Sequence, residues 1–188
     1  VDAALRQDEM LGIFKRYGKP VLALIVVGLV ALAGYLWWDS SRKQAAEEHG
    51  EKMVMALDKI EGGNLSEADK ELATLAEGSG GSATAAKLTR AGIALQQNRK
   101  AEAVKLFAEV AADEDAPQPY RDLALLREVA TNFDAMPPQQ VIDRLKPLAV
   151  PGNPWFGNAG ELVGMAYLKQ GNEKLSGPLF AQIARDKK

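Results

Sequence analysis

Cysteine is absent from the chain and histidine occurs once. With no thiol there is no disulfide, no thiolate nucleophile and no cysteine zinc site. The single histidine, His49, lies in the charged run Glu47-Glu48-His49-Gly50-Glu51-Lys52. It has neither the orienting acid nor the nucleophile that a catalytic imidazole needs, and reads as part of a solvated helix face. Charge of one sign is also missing: 23 basic residues meet 25 acidic ones, a net of −2, which argues against a nucleic-acid surface. No G-x-S-x-G, H-E-x-x-H or G-x-x-x-x-G-K-[ST] string occurs. Enzymatic chemistry therefore has no residues to work with, and no cofactor, metal or small-molecule substrate is expected.

What is present is a long apolar run. Residues 20–38, PVLALIVVGLVALAGYLWW, are 19 residues without a charge, bounded by Lys19 and Asp39. As a helix the run covers about 28 Å, close to the ~30 Å hydrocarbon core of a bilayer. Tyr35, Trp37 and Trp38 fall at one interface, where aromatic residues collect. Lys15, Arg16 and Lys19 crowd the other. Ala31-Leu32-Ala33 has the form of a signal-peptidase site, yet the apolar run continues past it, so the run reads as a retained anchor. Gly28 and Gly34 are six apart and form no G-x-x-x-G dimer face. Three basic residues upstream against Arg42 and Lys43 downstream favour a cytoplasmic N-terminus. Met10, Ile13, Phe14 and Tyr17 share one helical face, which suits either a membrane contact or a frayed tail.

The chain thus divides into an N-terminal segment (1–19), a transmembrane helix (20–38) and a third region (39–188) with a helical rhythm throughout, an all-α protein. Stripes at i, i+3, i+4, i+7 recur as Met53-Ala56-Leu57-Ile60, Leu88-Ala91-Gly92-Leu95, Leu126-Val129-Ala130-Phe133 and Gly160-Val163-Gly164-Tyr167. Each is followed by a second stripe beginning at Ala68, Ala103, Val141 or Ser176. The second stripes step by 35, 38 and 35 residues; the first, matched at Leu57, Gly92, Ala130 and Gly164, step by 35, 38 and 34. Gly62-Gly63-Asn64, Asn98, Met136-Pro137-Pro138 and Gly171-Asn172 mark turns within the pairs. Four helix-turn-helix units result, the first opening with a helix over 42–61. Pro147 and Pro178 fall within second helices and are expected to kink or shorten them.

Two strings invite other chemistry. Gly78-Ser79-Gly80-Gly81-Ser82-Ala83 fits G-x-G-x-x-A, but a helix rather than a strand precedes it, so it reads as an inter-repeat loop. Asp113-Glu114-Asp115 lacks the spacing of a calcium loop and reads as a solvated turn.

The period and the pairing of small with aromatic residues resemble the tetratricopeptide repeat, most closely at Val163-Gly164, Tyr167, Gly171, Ser176 and Phe180. The layout as a whole resembles the bacterial inner-membrane family of ancillary Sec-translocon subunits. That resemblance rests on Phe14-Lys15-Arg16-Tyr17-Gly18-Lys19, on Gly34-Tyr35-Leu36-Trp37-Trp38, and on the block from Pro154-Trp155 to Gln170-Gly171. It implies a single-pass protein of the inner membrane with a periplasmic repeat domain, associated with the Sec translocon and with chaperones. Independently of it, paired-helix arrays offer an extended concave surface for protein segments. Positions one residue beyond the first stripes would line that surface: Thr89, Ile93, Gln96, Arg127, Thr131, Asp134, Glu161, Met165 and Leu168. The set lacks a basic cluster for a C-terminal carboxylate, which favours a broader protein surface. The function expected is a membrane-anchored interaction scaffold; the alternative is an accessory subunit built permanently into another inner-membrane complex.

Overall fold

A computed structural model describes residues 27–40 and 47–186, and the regular structure in them is helical. The chain divides into two compact units between Glu48 and His49, ten residues beyond the boundary expected at Asp39. In the first unit, residues 27–40 are helical. Among the described residues no helix is long and apolar enough to cross a membrane. Residues 20–26 of the apolar run lie outside the described residues, as do Lys15, Arg16, Lys19 and the face at 10–17.

The second unit contains α1 (helical over 49–61 within it), α2 (Leu65–Ala76), α3 (Gly80–Gln96), α4 (Lys100–Ala112), α5 (Gln118–Asn132), α6 (Pro138–Leu145), α7 (Phe156–Lys169) and α8 (Glu173–Arg185). These are the four expected helix pairs. Ala68, Ala103, Val141 and Ser176 on the second helices are all buried. Their partners on the first helices are Ala56, Ala91, Val129 and Gly164, buried in every case. Both series step by 35, 38 and 35 residues. The register expected from Leu57, Gly92 and Ala130 is therefore one residue late in three units, because it followed glycine identity rather than burial. The three additional residues of the middle step lie between Ala103 on α4 and Val129 on α5.

A large side chain one turn further on each second helix completes the unit: Leu72, Phe107, Leu145 or Phe180. The small partner is what admits it. A Cβ on Gly164 would lie 2.6 Å from the Phe180 ring, and one on Gly160 would lie 2.9 Å from Ile183. Gly164→Leu should therefore force α8 from α7 and destabilise by about 1–3 kcal/mol. Gly92, one position past the register, meets nothing within 4 Å. There Gly92→Ala should be neutral or stabilise by up to about 1 kcal/mol, through helix propensity alone. Thermal melts of the two variants would separate these outcomes.

Three of the four pairs share one turn. Gly63, Asn98 and Gly171 adopt φ of 78°, 58° and 72°. The next residue donates its N–H back to the first helix: Asn64 to Lys59 O at 2.8 Å, Arg99 to Ala94 O at 2.7 Å, Asn172 to Tyr167 O at 2.8 Å. Left-handed backbone of this kind favours Gly or Asn and closes a helix end with satisfied carbonyls. The α5–α6 pair differs: its turn uses Met136-Pro137, with the Met136 N–H donating to Asn132 O at 3.1 Å. A fork from Arg144 to the Glu128 carboxylate, both bonds 2.5 Å, ties α6 to α5. Pro147 follows the shortened, eight-residue α6, as expected. Pro178 does not shorten its helix: α8 runs 13 residues through it, since a proline one turn inside a helix removes only one N–H bond.

The first helices form one layer, with α3 touching α5 and α5 touching α7. That layer carries the candidate site.

Candidate protein-binding groove

Two hollows open on the first-helix layer. One, about 340 Å³, lies between α5 and α7 and is lined by Leu123, Leu126, Arg127, Ala130, Trp155, Asn158, Glu161, Leu162 and Met165. The other, about 320 Å³, is lined by Leu88, Thr89, Gly92 and Leu95 of α3, Phe107 of α4, and Leu123 and Arg127 of α5. Leu123 and Arg127 border both, so the hollows are two lobes of one groove.

The lining follows the repeat. Three places before, two before and one after the small buried residue, each first helix presents a residue to the groove. They are Leu88, Thr89 and Gly92 on α3, then Leu126, Arg127 and Ala130 on α5, then Glu161, Leu162 and Met165 on α7. On α1 the same places hold Met53, Val54 and Leu57. Val54 and Leu57 are 57% and 45% exposed. The face that lines the groove thus extends, by register, onto the first pair.

Of the expected binding residues, Thr89, Arg127, Glu161 and Met165 line the groove. Gln96 and Leu168 are exposed near the ends of α3 and α7, Asp134 is exposed in the turn after α5, and Thr131 is half-buried; none of these four lines either lobe. Asp134 instead pairs with Lys169 at 3.1 Å, and that ammonium lies 4.3 Å from the centre of the Phe133 ring. Ile93 is a correction: it is 1% exposed and belongs to the core with Leu72 and Ala86. It stands two places after Ala91, where α5 has half-buried Thr131 and α7 has buried Ala166. That direction points into the packing. The residues missed are Leu88, Gly92, Leu95, Phe107, Leu123, Leu126, Ala130, Trp155, Asn158 and Leu162. Several stood in the stripes assigned to packing, and the 35, 38, 35 register was the signal that could have placed them.

Electrostatics separates the groove from the scaffold. Arg90 and Arg99 both hold Asp69, at 2.8 and 3.2 Å, tying α2 to α3 and to the turn after it. Lys59 is held by Glu71 across α1 and α2. The Lys59 ammonium is raised above its ordinary value by the hydrogen bond to Glu71. Arg99 is raised by its bond to Glu102, and Arg144 by its bonds to Glu128. All three are structural ties outside the groove. Arg127 and Glu161, by contrast, are exposed and carry no ion pair among the described residues.

The other sequence leads have ordinary roles. His49 is half-exposed, its Nδ1 3.3 Å from the Ser82 hydroxyl. Asp113 accepts the Asp115 N–H at 3.1 Å in the turn after α4. In the glycine-rich string, Gly80 already opens α3, so the loop there is shorter than expected.

Compared with known proteins, residues 13–175 match the profile of the tetratricopeptide repeat-like domain. No curated protein and no solved structure matches the chain significantly.

Proposed function

Because the chain belongs to the tetratricopeptide repeat-like domain family, a family whose paired helices suit it to holding proteins, we propose that it is a membrane-anchored scaffold at the outer face of a bacterial inner membrane. Its first-helix groove holds protein segments there, in the service of the Sec translocon and of periplasmic chaperones. The observation that carries the reading is the groove, whose lining repeats at equivalent places on three successive first helices. Catalytic groups, cofactors and metals have no part in such a mechanism.

Two observations support the anchor. Val27, Leu29, Val30, Leu32, Tyr35, Leu36, Trp37 and Trp38 are each more than half exposed along residues 27–40. Eight large apolar side chains around a helix are costly in water and favourable in hydrocarbon, at roughly 25 cal/mol per Å². The family match also begins at residue 13, so it takes in the apolar run as well as the repeats. The resemblance at 14–19, 34–38 and 154–171 supports the secretory setting.

The full chain should pellet with membranes and resist carbonate extraction; release by carbonate would remove the anchor. Mild-detergent co-purification with mass spectrometry then tests the partners. A varying set of secretory factors fits the scaffold. A single stoichiometric complex fits the accessory subunit instead.

A further inference from the structure

Each unit of a stacked array touches only its neighbours, so the two ends of the stack differ from its interior. Inside this stack the junction residues recur by register. On the second helices Leu75, Val110 and Leu148, seven places past the small buried residue, are all buried. Leu75 clusters with Ala86 and Ile93 of the following α3, and Leu148 with Ala159 and Val163 of α7. On the first helices Ala86, Ala124 and Ala159, five places before the small buried residue, are each 0% exposed. These alanines let the preceding unit approach.

The two ends depart from this pattern in opposite ways. At the α1 end the alanine place holds Glu51, and the place of buried Ile93 and Ala166 holds Asp58; both acids are exposed. That end is closed by charge. At the α8 end the outward places are apolar. Leu168 is 49% exposed, whereas its counterparts Ile60, Leu95 and Phe133 are half-buried. Leu175 is 48% exposed at the place where the inner second helices carry Glu67, Glu102 and Gln140. Leu179 and Ile183 rest on α7 at Gly160 and are half-exposed on their outer sides. An array end needs a polar outer face to stand alone in water, and among the described residues nothing covers this one.

We propose that the α8 end is a self-association surface, on which a second copy of this chain seats its own α8 end about a two-fold axis. Two α1 ends placed together would set Glu47, Glu51 and Asp58 against their like. An α1 end stacked on an α8 end would bury Glu51 and Asp58 against leucines, an uncompensated desolvation. The acids thereby block the open-ended growth that such a heterologous contact would start. Two α8 ends set apolar side chains against apolar ones, and the charges within 173–186 (Glu173, Lys174, Arg185 and Asp186) cancel. The stripe Leu175, Leu179, Ile183 is also symmetric about Leu179. An antiparallel copy therefore sets Leu175 against Ile183 and Leu179 against itself, as a closed two-fold contact requires. A contact between two helix faces is small beside the ~1,600 Å² of a standard interface, so the pair exchanges. The proposal is independent of the groove and of the anchor.

The chain has no cysteine, so one introduced thiol reports only its own neighbours. Full-length chain carrying Gln182→Cys, exposed beside the stripe, is treated in intact cells with a short bismaleimide. A covalent homodimer is expected, in excess of that from Lys105→Cys, which is 78% exposed on α4 and supplies the collision background. Adding Leu175→Glu should reduce the Gln182→Cys dimer to that background while circular dichroism of the purified full chain stays unchanged. Glutamate already stands at that place on α2 and α4 as Glu67 and Glu102, so the fold tolerates it. Glu51→Cys should give no dimer, alone or co-expressed with Gln182→Cys. A Gln182→Cys dimer no stronger than background, or one that survives Leu175→Glu, overturns the proposal. A dimer formed only when Glu51→Cys and Gln182→Cys are mixed marks head-to-tail stacking and overturns it too. So does a Gln182→Cys adduct with a different protein alone, which marks another occupant.

Discussion

Phe107→Ala should lower the stability of the repeat unit by about 3–5 kcal/mol, the usual cost of emptying a buried aromatic site. Phe107 is 4% exposed and packs with Ala91, Ala94, Ala103 and Leu106. The small partners Ala91, Ala94 and Ala103 on α3 and α4 make room for the ring. Leu88, Leu95 and Leu106 of the same cluster can fill only part of the space the ring would leave, so much of the cavity persists. Phe107→Leu keeps most of the volume and should lose far less, about 1 kcal/mol. Denaturant unfolding of the full chain, followed by helicity, distinguishes the two. An unchanged midpoint for Phe107→Ala would mean that the second unit does not pack in the register described.

Glu128→Ala should cost about 2–4 kcal/mol for a different reason. Glu128 is 7% exposed, and its two oxygens receive the Arg144 fork. Removing the carboxylate leaves a half-buried guanidinium unpartnered, the expensive way to break an ion pair. The loss is concentrated because α6 is the shortest helix of the seven whose bounds are complete and touches α5 only lightly. The paired change Glu128→Leu with Arg144→Met should recover much of the loss, since it strands no charge. The direction of the Arg144 shift sets the pH behaviour. Its pKa is raised in the folded state by the bonds to Glu128. The stabilisation is therefore complete below the unfolded arginine value and would fade only above the folded one. Both values lie beyond the working range, so mild alkali should leave this pair intact. A double variant no more stable than Glu128→Ala would contradict the assignment.

Much of the architecture was legible because it is periodic. Stripes at helical spacing and breakers such as Gly63, Asn98 and Gly171 gave four pairs and their turns, since 3.6-residue periodicity and left-handed turn residues are local properties. The register was harder. Gly92 attracted the alignment because its counterpart in the last unit, Gly164, is a glycine. The position only requires a side chain small enough to admit the one above it, and Ala56, Ala91 and Val129 meet that need. A one-residue error turns a helix by about 100°, enough to place buried Ile93 on the surface. Glu128 was invisible for a related reason: a carboxylate reads as surface until its partner, sixteen residues away, is brought beside it. Ten of the fourteen lining residues thus depended on which neighbours the fold supplies, and residue type does not encode that locally.

The groove can be tested directly by site-specific photocrosslinking in intact membranes. A photoreactive residue at Gly92 or Ala130 faces the lobes. One at Lys105, which is 78% exposed on α4, faces away on a second helix. Crosslinks to partner polypeptides from positions 92 and 130, with none from 105, are the predicted result. Crosslinks from 105 and none from the groove positions would contradict it.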